Sequence, residues 1–201
     1  MYTKTKSLGL AVAFALLLGT LTIATPQNAY AALEQGSTAQ VEFKAGELSL
    51  VKVAEFDFGA QDIASGTNHY NATSVGDDIQ VSDLRGNGKG WDLNVSLSEL
   101  TNTTNGKPLA GAYVTLSGTK IAGVDDTDES VVTAPTSPST ASLQINSDGE
   151  ETLIFTADTN AGLGVWGITT ELTDATLTVL PGTAYVGDYE ADLTWTLQST
   201  P

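Results

Sequence analysis

The feature that most constrains the fold of this chain is a series of short runs in which apolar and polar residues alternate strictly. One run extends over residues 91–97, and another extends over residues 189–198 near the end of the chain. Because successive side chains of a β-strand point to opposite faces, each run has one apolar and one polar face. An amphipathic helix would instead place apolar residues three or four positions apart. The pattern therefore predicts two-faced strands.

Weaker runs of the same kind recur along the chain, separated by clusters of Gly, Thr, Ser, Asn and Asp, which favour turns. They cover residues 40–43, 47–53, 112–116, 141–145, 152–156, 163–169 and 175–180. The longest irregular stretches are expected at residues 59–78, 83–90, 100–108 and 124–140. Many short strands of this kind indicate an all-β fold, a single-domain β-sandwich of antiparallel strands.

The N-terminal segment has the layout of a secretory signal peptide. Two lysines precede an uncharged apolar run over residues 8–23, and the small-residue site Ala29-Tyr30-Ala31 follows. Such a segment is removed on secretion, so we predict a signal peptide at residues 1–31 and one domain at residues 32–201. The run is short for a membrane anchor, and no later segment is long enough for one. The secreted protein is therefore not expected to span a membrane.

The charge and the rare residue types exclude several classes of function. The chain has 24 acidic and 8 basic residues and a formal net charge of −16, so it lacks the basic surface that nucleic acid or anionic lipid requires. Cysteine is absent and histidine occurs once, which excludes thiol nucleophiles, thiolate metal sites and multi-histidine zinc sites. We expect no cofactor and no nucleic-acid partner.

Three features could support chemistry, and each has a plainer interpretation. The acidic stretch over residues 125–129 could bind calcium, but it lacks the glycine and the final glutamate of an EF-hand loop, so we interpret it as a solvated loop. His69 could act as a general base, but no nucleophile motif accompanies it. Glycoside hydrolysis needs only two suitably spaced carboxylates, so a wall-active hydrolase remains the least favoured alternative. We predict that the protein is not an enzyme.

A short segment resembles the motif by which sortases attach proteins covalently to cell walls. Leu180-Pro181-Gly182-Thr183-Ala184 has alanine where that motif has glycine. A strand pattern follows it, in place of an apolar tail with a basic end. We interpret the segment as a turn, so any retention on a cell surface is expected to be non-covalent.

Two segments carry a more specific resemblance. The proximal one is Trp91-Asp92-Leu93, preceded by the glycine-rich stretch over residues 83–90, and the distal one is the C-terminal segment over residues 189–201. Together they resemble the WxL-domain family of Gram-positive surface proteins. The family's distal pattern, Tyr-xxx-Leu-Thr-Trp-x-Leu-xxx-Pro, is matched here at every fixed position: Tyr189, Leu193, Thr194, Trp195, Leu197 and Pro201.

The resemblance implies a secreted, extracellular protein that is held non-covalently on the Gram-positive cell wall or cell surface. Its implied partners are peptidoglycan, a membrane-anchored WxL-interacting surface protein, or both, and other WxL proteins are further possible partners. It implies a role in adhesion or in an envelope assembly, without enzymatic activity. The alternative is a structural or adhesion subunit that reaches the surface only through its partner protein and does not bind the wall directly.

The residue pattern leaves open whether the motif tryptophans belong to the core or present an exposed ring for stacking. Two other residues are candidates for the binding surface. Arg85 is the only arginine and lies in the glycine-rich stretch, and Trp166 is flanked by glycines that are expected to leave its ring open to approach. The full set of motif and binding candidates is Trp91, Leu93, Tyr189, Leu193, Thr194, Trp195, Leu197, Pro201, Trp166 and Arg85.

Overall fold

The computed structural model describes residues 35–138 and 142–201, and the predicted signal peptide lies outside the described residues. The described chain is all-β, as predicted, and residues 42–201 form one compact unit. The part of the chain that the structure describes contains no helix long and apolar enough to cross a membrane.

The described residues form short strands from residue 48 to residue 199, with a 3-10 turn at Leu172–Asp174. The strands are β1 (Leu48–Lys52), β2 (Phe56–Asp57), β3 (Asn68–Asn71), β4 (Ser74–Val75), β5 (Ile79–Asp83), β6 (Trp91–Leu97), β7 (Thr101–Asn102), β8 (Tyr113–Ser117), β9 (Lys120–Val124), β10 (Ser142–Asn146), β11 (Thr152–Ala157), β12 (Gly164–Thr169), β13 (Ala175–Val179), β14 (Tyr189–Glu190) and β15 (Leu193–Ser199).

Three antiparallel sheets carry the fold. Their strand orders are β1-β5-β12-β9, β10-β8-β13-β3 and β11-β6-β15. Two further short antiparallel ladders are β14-β7 and β2-β4. Non-consecutive strands are therefore neighbours throughout, and strands β3 and β15 lie at edges of their sheets.

The core lies between the apolar faces that the sequence pattern predicts. Strand β6 alternates between buried and half-buried residues along its whole length, and β10 alternates between exposed and buried residues. Apolar burial of this kind contributes about 25 cal/mol for each Å² removed from water. The fully buried aliphatic side chains come from several sheets and include Val81, Leu93, Val95, Ile145, Ile154 and Ile168.

The strand predictions were wrong at several places. Residues 40–43 form no strand and are exposed, whereas β3 and β4 lie within a stretch that was expected to be irregular. The run over residues 189–198 is divided into β14 and β15. The two parts have different partners, since β14 pairs with β7 and β15 pairs with β6. Between them, the backbone of Asp192 is hydrogen-bonded to Ser98, which directly follows β6.

Candidate functional site

The two motif segments, which are separated by about a hundred residues in the sequence, are neighbouring strands in the structure. Strand β15 pairs with β6 antiparallel, so that Leu197 lies opposite Leu93 and Trp195 lies opposite Val95. Directly opposite residues of an antiparallel pair share a face, so both tryptophans lie on the inner face of this sheet. Four residues of strand separate their positions, which is about 13 Å.

Trp91 is a core residue at the central strand of its sheet. Its side chain is fully buried, and its indole Nε1 donates a hydrogen bond to the carbonyl oxygen of Gly162 at 3.2 Å. Two glycines make room for this arrangement. A Cβ at Gly162, which has a positive φ of 67°, would lie 2.7 Å from Trp91 Nε1, and a Cβ at Gly90 would lie 1.8 Å from the carbonyl oxygen of Ala157.

Trp195 lies on the edge strand and is only half-buried. Leu193 and Leu197 share its face and its intermediate burial, and all three pack against the core. Thr194 points to the opposite face and is exposed. The motif strand is therefore covered less completely than β6, because no strand lies on its outer side.

The first and last residues of the distal motif, Tyr189 and Pro201, lie outside strand β15. The Tyr189 hydroxyl accepts a hydrogen bond from the backbone N–H of Tyr185 at 2.8 Å, and its strand β14 pairs with β7 rather than with β6. Tyr189 is half-buried and packs against the core, and Pro201 is exposed at the end of the chain.

The prediction that the Trp166 ring is open to approach was wrong. The side chain is fully buried, although glycines flank it on both sides, and its Nε1 donates to the carbonyl oxygen of Leu163 at 3.0 Å. The reason is its position on β12, which is an interior strand between β5 and β9. A fully buried ring offers no face for stacking on a ligand.

Arg85 is occupied within the domain. Its guanidinium forms a two-pronged ion pair with Asp83, with Nε and Nη2 donating to the two carboxylate oxygens at 2.8 and 2.7 Å. This hydrogen bonding raises the pKa of Arg85, against an opposing effect of burial. The same side chain also donates to the carbonyl oxygens of Lys89 and Gly90 and to the Ser199 hydroxyl. Arg85 therefore ties the glycine-rich loop to the end of β15.

The outer face of the β10-β8-β13-β3 sheet forms a surface that we call the polar platform. The strand registers align its side chains in rows across the sheet, and none of them is a carboxylate, a lysine or an arginine. It consists of Ser142, Gln144, Asn146, Tyr113, Thr115, Ser117, Thr176, His69 and Asn71. Thr178 lies on the same face of β13 but is only 1% exposed, so it supports the surface and is not part of what a ligand can contact.

Hydrogen bonds within the polar platform fix the orientation of several of its side chains. His69 Nδ1 lies 2.9 Å from Thr178 Oγ1, and the Thr176 hydroxyl donates to Asn71 Oδ1 at 3.1 Å. Gln144 Nε2 donates to Asn146 Oδ1 at 2.7 Å. The surface therefore presents hydroxyl and amide groups, one imidazole and the half-buried ring of Tyr113, an inventory that can both donate and accept hydrogen bonds.

A second feature is a cleft of about 780 Å³ at the side of the sandwich where the edge strands β3 and β15 lie. Its floor includes Leu97, Leu177 and Leu193, from two different sheets. Exposed apolar residues lie at its rim, including Ile63, which is 55% exposed, and Val186, which is 87% exposed. We refer to this feature as the apolar cleft.

The sequence was also compared with models of protein families. The model described as "WxL domain surface cell wall-binding" matches residues 24–201. The chain belongs to the WxL-domain family. No curated protein matched the sequence.

The family match establishes a coarse function for this WxL domain, which is that of a cell-surface protein that binds the cell wall. The two WxL segments themselves are mostly structural: Trp91 and Leu93 are fully buried, and Trp195 and Leu197 are partly buried. The WxL segments thus contribute mainly to the core, and of their matched positions only Thr194 and Pro201 are exposed.

The acidic stretch of the WxL domain is organised by its own hydrogen bonds. Glu129 Oε1 accepts from the backbone N–H of Gly123 at 2.6 Å, and Asp128 accepts from the hydroxyl and the N–H of Ser130. These bonds from Ser130 lower the pKa of Asp128. Among the described residues, no group of three or more His, Cys, Asp or Glu side chains could hold a metal ion.

Sequence reasoning missed the polar platform, although part of its signal was present. The outward positions of the predicted strands at residues 112–116, 141–145 and 175–180 are rich in Ser, Thr and Gln, with one tyrosine. The pattern does not indicate that these three strands are neighbours, nor that β3 adds His69 and Asn71 to the same face. Strand order depends on tertiary pairing.

Proposed function

We propose that this cell-wall-binding surface protein is secreted, is held non-covalently on the wall of a Gram-positive bacterium, and contacts peptidoglycan directly through the polar platform. The observation that supports the proposal is the composition of that sheet face, where hydroxyl, amide and imidazole groups surround one tyrosine ring and no side chain is a carboxylate. We further propose that it acts as a non-catalytic component of an adhesion or envelope assembly.

The chemistry of the ligand matches that of the platform. Peptidoglycan presents sugar hydroxyls, acetamido groups and peptide amides, all of which exchange neutral hydrogen bonds. Asn, Gln, Ser and Thr side chains supply both donors and acceptors. The Tyr113 ring adds an apolar surface against which a sugar face can pack.

The net charge of the chain shapes this proposal. Gram-positive walls commonly carry anionic polymers, and the formal net charge of −16 makes general attraction to them impossible. Salt screens such repulsion, with a Debye length of about 10 Å at 0.1 M ionic strength. We expect wall association to strengthen with moderate salt at neutral pH, and to strengthen as the pH falls toward the sequence pI of about 4.1.

The apolar cleft favours a second candidate function. Its leucine-rich floor suits the apolar side chains of a protein better than it suits a polar glycan. In this alternative the chain is a structural or adhesion subunit that docks on a membrane-anchored partner and does not bind the wall directly.

The test is sedimentation of the purified protein with cell walls stripped of protein and of anionic polymers. Gln144→Glu introduces a carboxylate into the polar platform, and Gln198→Glu introduces the same charge at an equally exposed strand position of another sheet. We expect Gln144→Glu to weaken wall binding by about tenfold, the equivalent of one or two lost hydrogen bonds. Gln198→Glu should bind as the unmodified protein does.

Each result separates the candidates. Failure of the unmodified protein to sediment, together with sedimentation after a membrane-anchored partner is added, would support the alternative. Equal losses in the two glutamate variants would show that charge, rather than the platform, controls retention. Release of muropeptides from the walls during the assay would instead establish a hydrolase.

A further inference from the structure

A segment with a strong strand pattern pairs with no strand in the structure. From residue 39 to residue 45, Ala, Val, Phe and Ala alternate with Gln, Glu and Lys. We call these residues the arm. None of them forms a strand, and the side chains of Val41 and Phe43 are 77% and 88% exposed. Side chains two residues apart share a face of an extended chain, so the arm would present one apolar edge.

The backbone of the arm is also without hydrogen-bond partners next to the domain. Residues 42–45 form no backbone hydrogen bond with another described residue. Pairing begins at Gly46, whose N–H donates to the carbonyl oxygen of Leu84 at 2.8 Å. The arm thus combines an apolar edge with free backbone donors and acceptors, which are what strand addition requires.

The apolar cleft has the complementary properties. It is bordered by β3 and β15, which are edge strands of their sheets and have backbone groups available for pairing. Its apolar floor can receive alternate side chains of an added strand. The rim carries Asp57, Asp62, Asp188 and Glu190, whereas Glu42 and Lys44 leave the arm without net charge, so the arm itself adds no net charge to the acidic rim.

Gly46, from which the arm extends, and the cleft lie at opposite ends of β15. The arm leaves the domain beside Leu84, and the adjacent Arg85 contacts Ser199 at the end of that strand. The cleft lies at the start of the strand, at Leu193. The six residue steps between those ends span about 20 Å. Phe43 is three residues from Gly46 and can reach no further than about 10 Å from it, so it falls short of the cleft of its own chain.

We propose that the arm of one copy adds as a strand in the apolar cleft of a second copy, with Val41 and Phe43 inserted between the sheets. An arm at one end and a cleft at the other define a heterologous interface, which does not close on itself and produces head-to-tail chains. Assembly of this kind is independent of the polar platform and leaves it exposed.

The test is analytical ultracentrifugation of the predicted secreted form, residues 32–201, over a range of protein and salt concentrations. We expect chains whose mean mass rises with protein concentration and with salt, because salt screens the repulsion between two acidic copies. Phe43→Asp should weaken association by at least about tenfold, since it removes a large buried apolar side chain from the interface. Val131→Asp, at a 78% exposed apolar position, is the matched control and should assemble normally.

A mixing experiment tests the polarity of the interface. Ile63→Asp alters the rim of the cleft and leaves the arm intact, whereas Phe43→Asp leaves the cleft intact. Each variant should be monomeric alone, and an equimolar mixture should form dimers and nothing larger. Circular dichroism that matches the unmodified protein verifies that each exposed substitution preserves the fold.

Several outcomes would overturn this proposal. The protein could remain a monomer at every protein and salt concentration, assembly could survive Phe43→Asp, or Val131→Asp could weaken assembly as much as Phe43→Asp does. A synthetic peptide of residues 37–46 is also expected to bind in the cleft. Binding of glycan fragments or of a different protein in the cleft, in place of this peptide, would likewise contradict the proposal. Wall sedimentation of monomeric Phe43→Asp would leave the peptidoglycan proposal intact, so the two proposals fail separately.

Discussion

Strands β6 and β15 each carry a tryptophan followed two residues later by a leucine, and they differ in their place in the sheet. Strand β6 lies between β11 and β15, and its Trp91 and Leu93 are fully buried. Strand β15 is the edge strand, and its Trp195 and Leu197 are half-buried. The same motif on the same face is thus covered to different extents, which shows that position in the sheet, rather than residue type, decides how much a motif residue contributes to the core.

The largest effect is expected from Trp91→Ala. Replacing a fully buried aromatic side chain by alanine costs about 3–5 kcal/mol of unfolding free energy, and the Gly162 carbonyl would lose its indole donor as well. Urea denaturation followed by circular dichroism measures the loss. A loss below about 2 kcal/mol would contradict the central role of β6, since it would lie under the usual range for buried aromatic residues.

Arg85→Ala tests the tie between the loop before β6 and the end of β15. The substitution leaves the fully buried Asp83 carboxylate without its partner, which we expect to cost about 3 kcal/mol. Arg85→Lys is the control, because it keeps the charge and loses the fork geometry, so an intermediate loss is expected. In the double variant Asp83→Asn/Arg85→Ala, we expect the loss of unfolding free energy to be smaller than the sum of the two single losses. A loss equal to that sum would show that the two groups are not coupled.

Trp195→Ala sharpens the comparison directly. Because the ring is half-buried on an edge strand, we expect the unfolding free energy to fall by about 1–2 kcal/mol. This is less than the cost of truncating a fully buried aromatic side chain, which also leaves a cavity. The measurement is the same denaturation experiment. A loss equal to that of Trp91→Ala would remove the distinction between the two motif strands.

Tyr189→Phe should have the smallest effect. It removes the hydroxyl that accepts from the N–H of Tyr185 and keeps the packing of the ring, so a loss of about 0.5–1.5 kcal/mol is expected. Differential scanning calorimetry detects a change of this size as a small fall in Tm. If Tyr189→Phe destabilised the protein more than Trp195→Ala does, the main stabilising contact of the distal segment would lie in β14 rather than in β15.

Much of the fold was predictable because alternation with period two is local. The strict run at residues 91–97 became β6, and the runs at residues 47–53 and 152–156 correspond to β1 and β11. Strand β5 was missed because its alternation covers only residues 79–82 before two polar residues, Ser82 and Asp83, occur in succession, and both of them are buried in the structure. Residues 40–43 show the opposite case, in which a strand pattern finds no partner within the described chain.

The candidate sites depended far more on the tertiary structure. Flanking glycines made Trp166 look accessible, but an interior strand position buried it. Arg85 looked available for a ligand, but it pairs with Asp83 and contacts the last residue of β15. The burial of Trp166 depends on strands β5 and β9, which are distant in sequence. Asp83 is only two residues from Arg85, but its burial and the contact of Arg85 with Ser199 depend on tertiary packing.

The sequence by itself determined that the chain is built from two-faced strands, that it is strongly acidic and without cysteine, and that it carries both WxL segments of a cell-wall-binding family. Those properties follow from residue order and composition alone. Only the tertiary structure decided that the two segments are paired strands, that Trp91 is core while Trp195 is partly open, and that four strands share one polar face. The physical reason is that burial depends on strand order, and strand order is set by long-range pairing and packing of side chains.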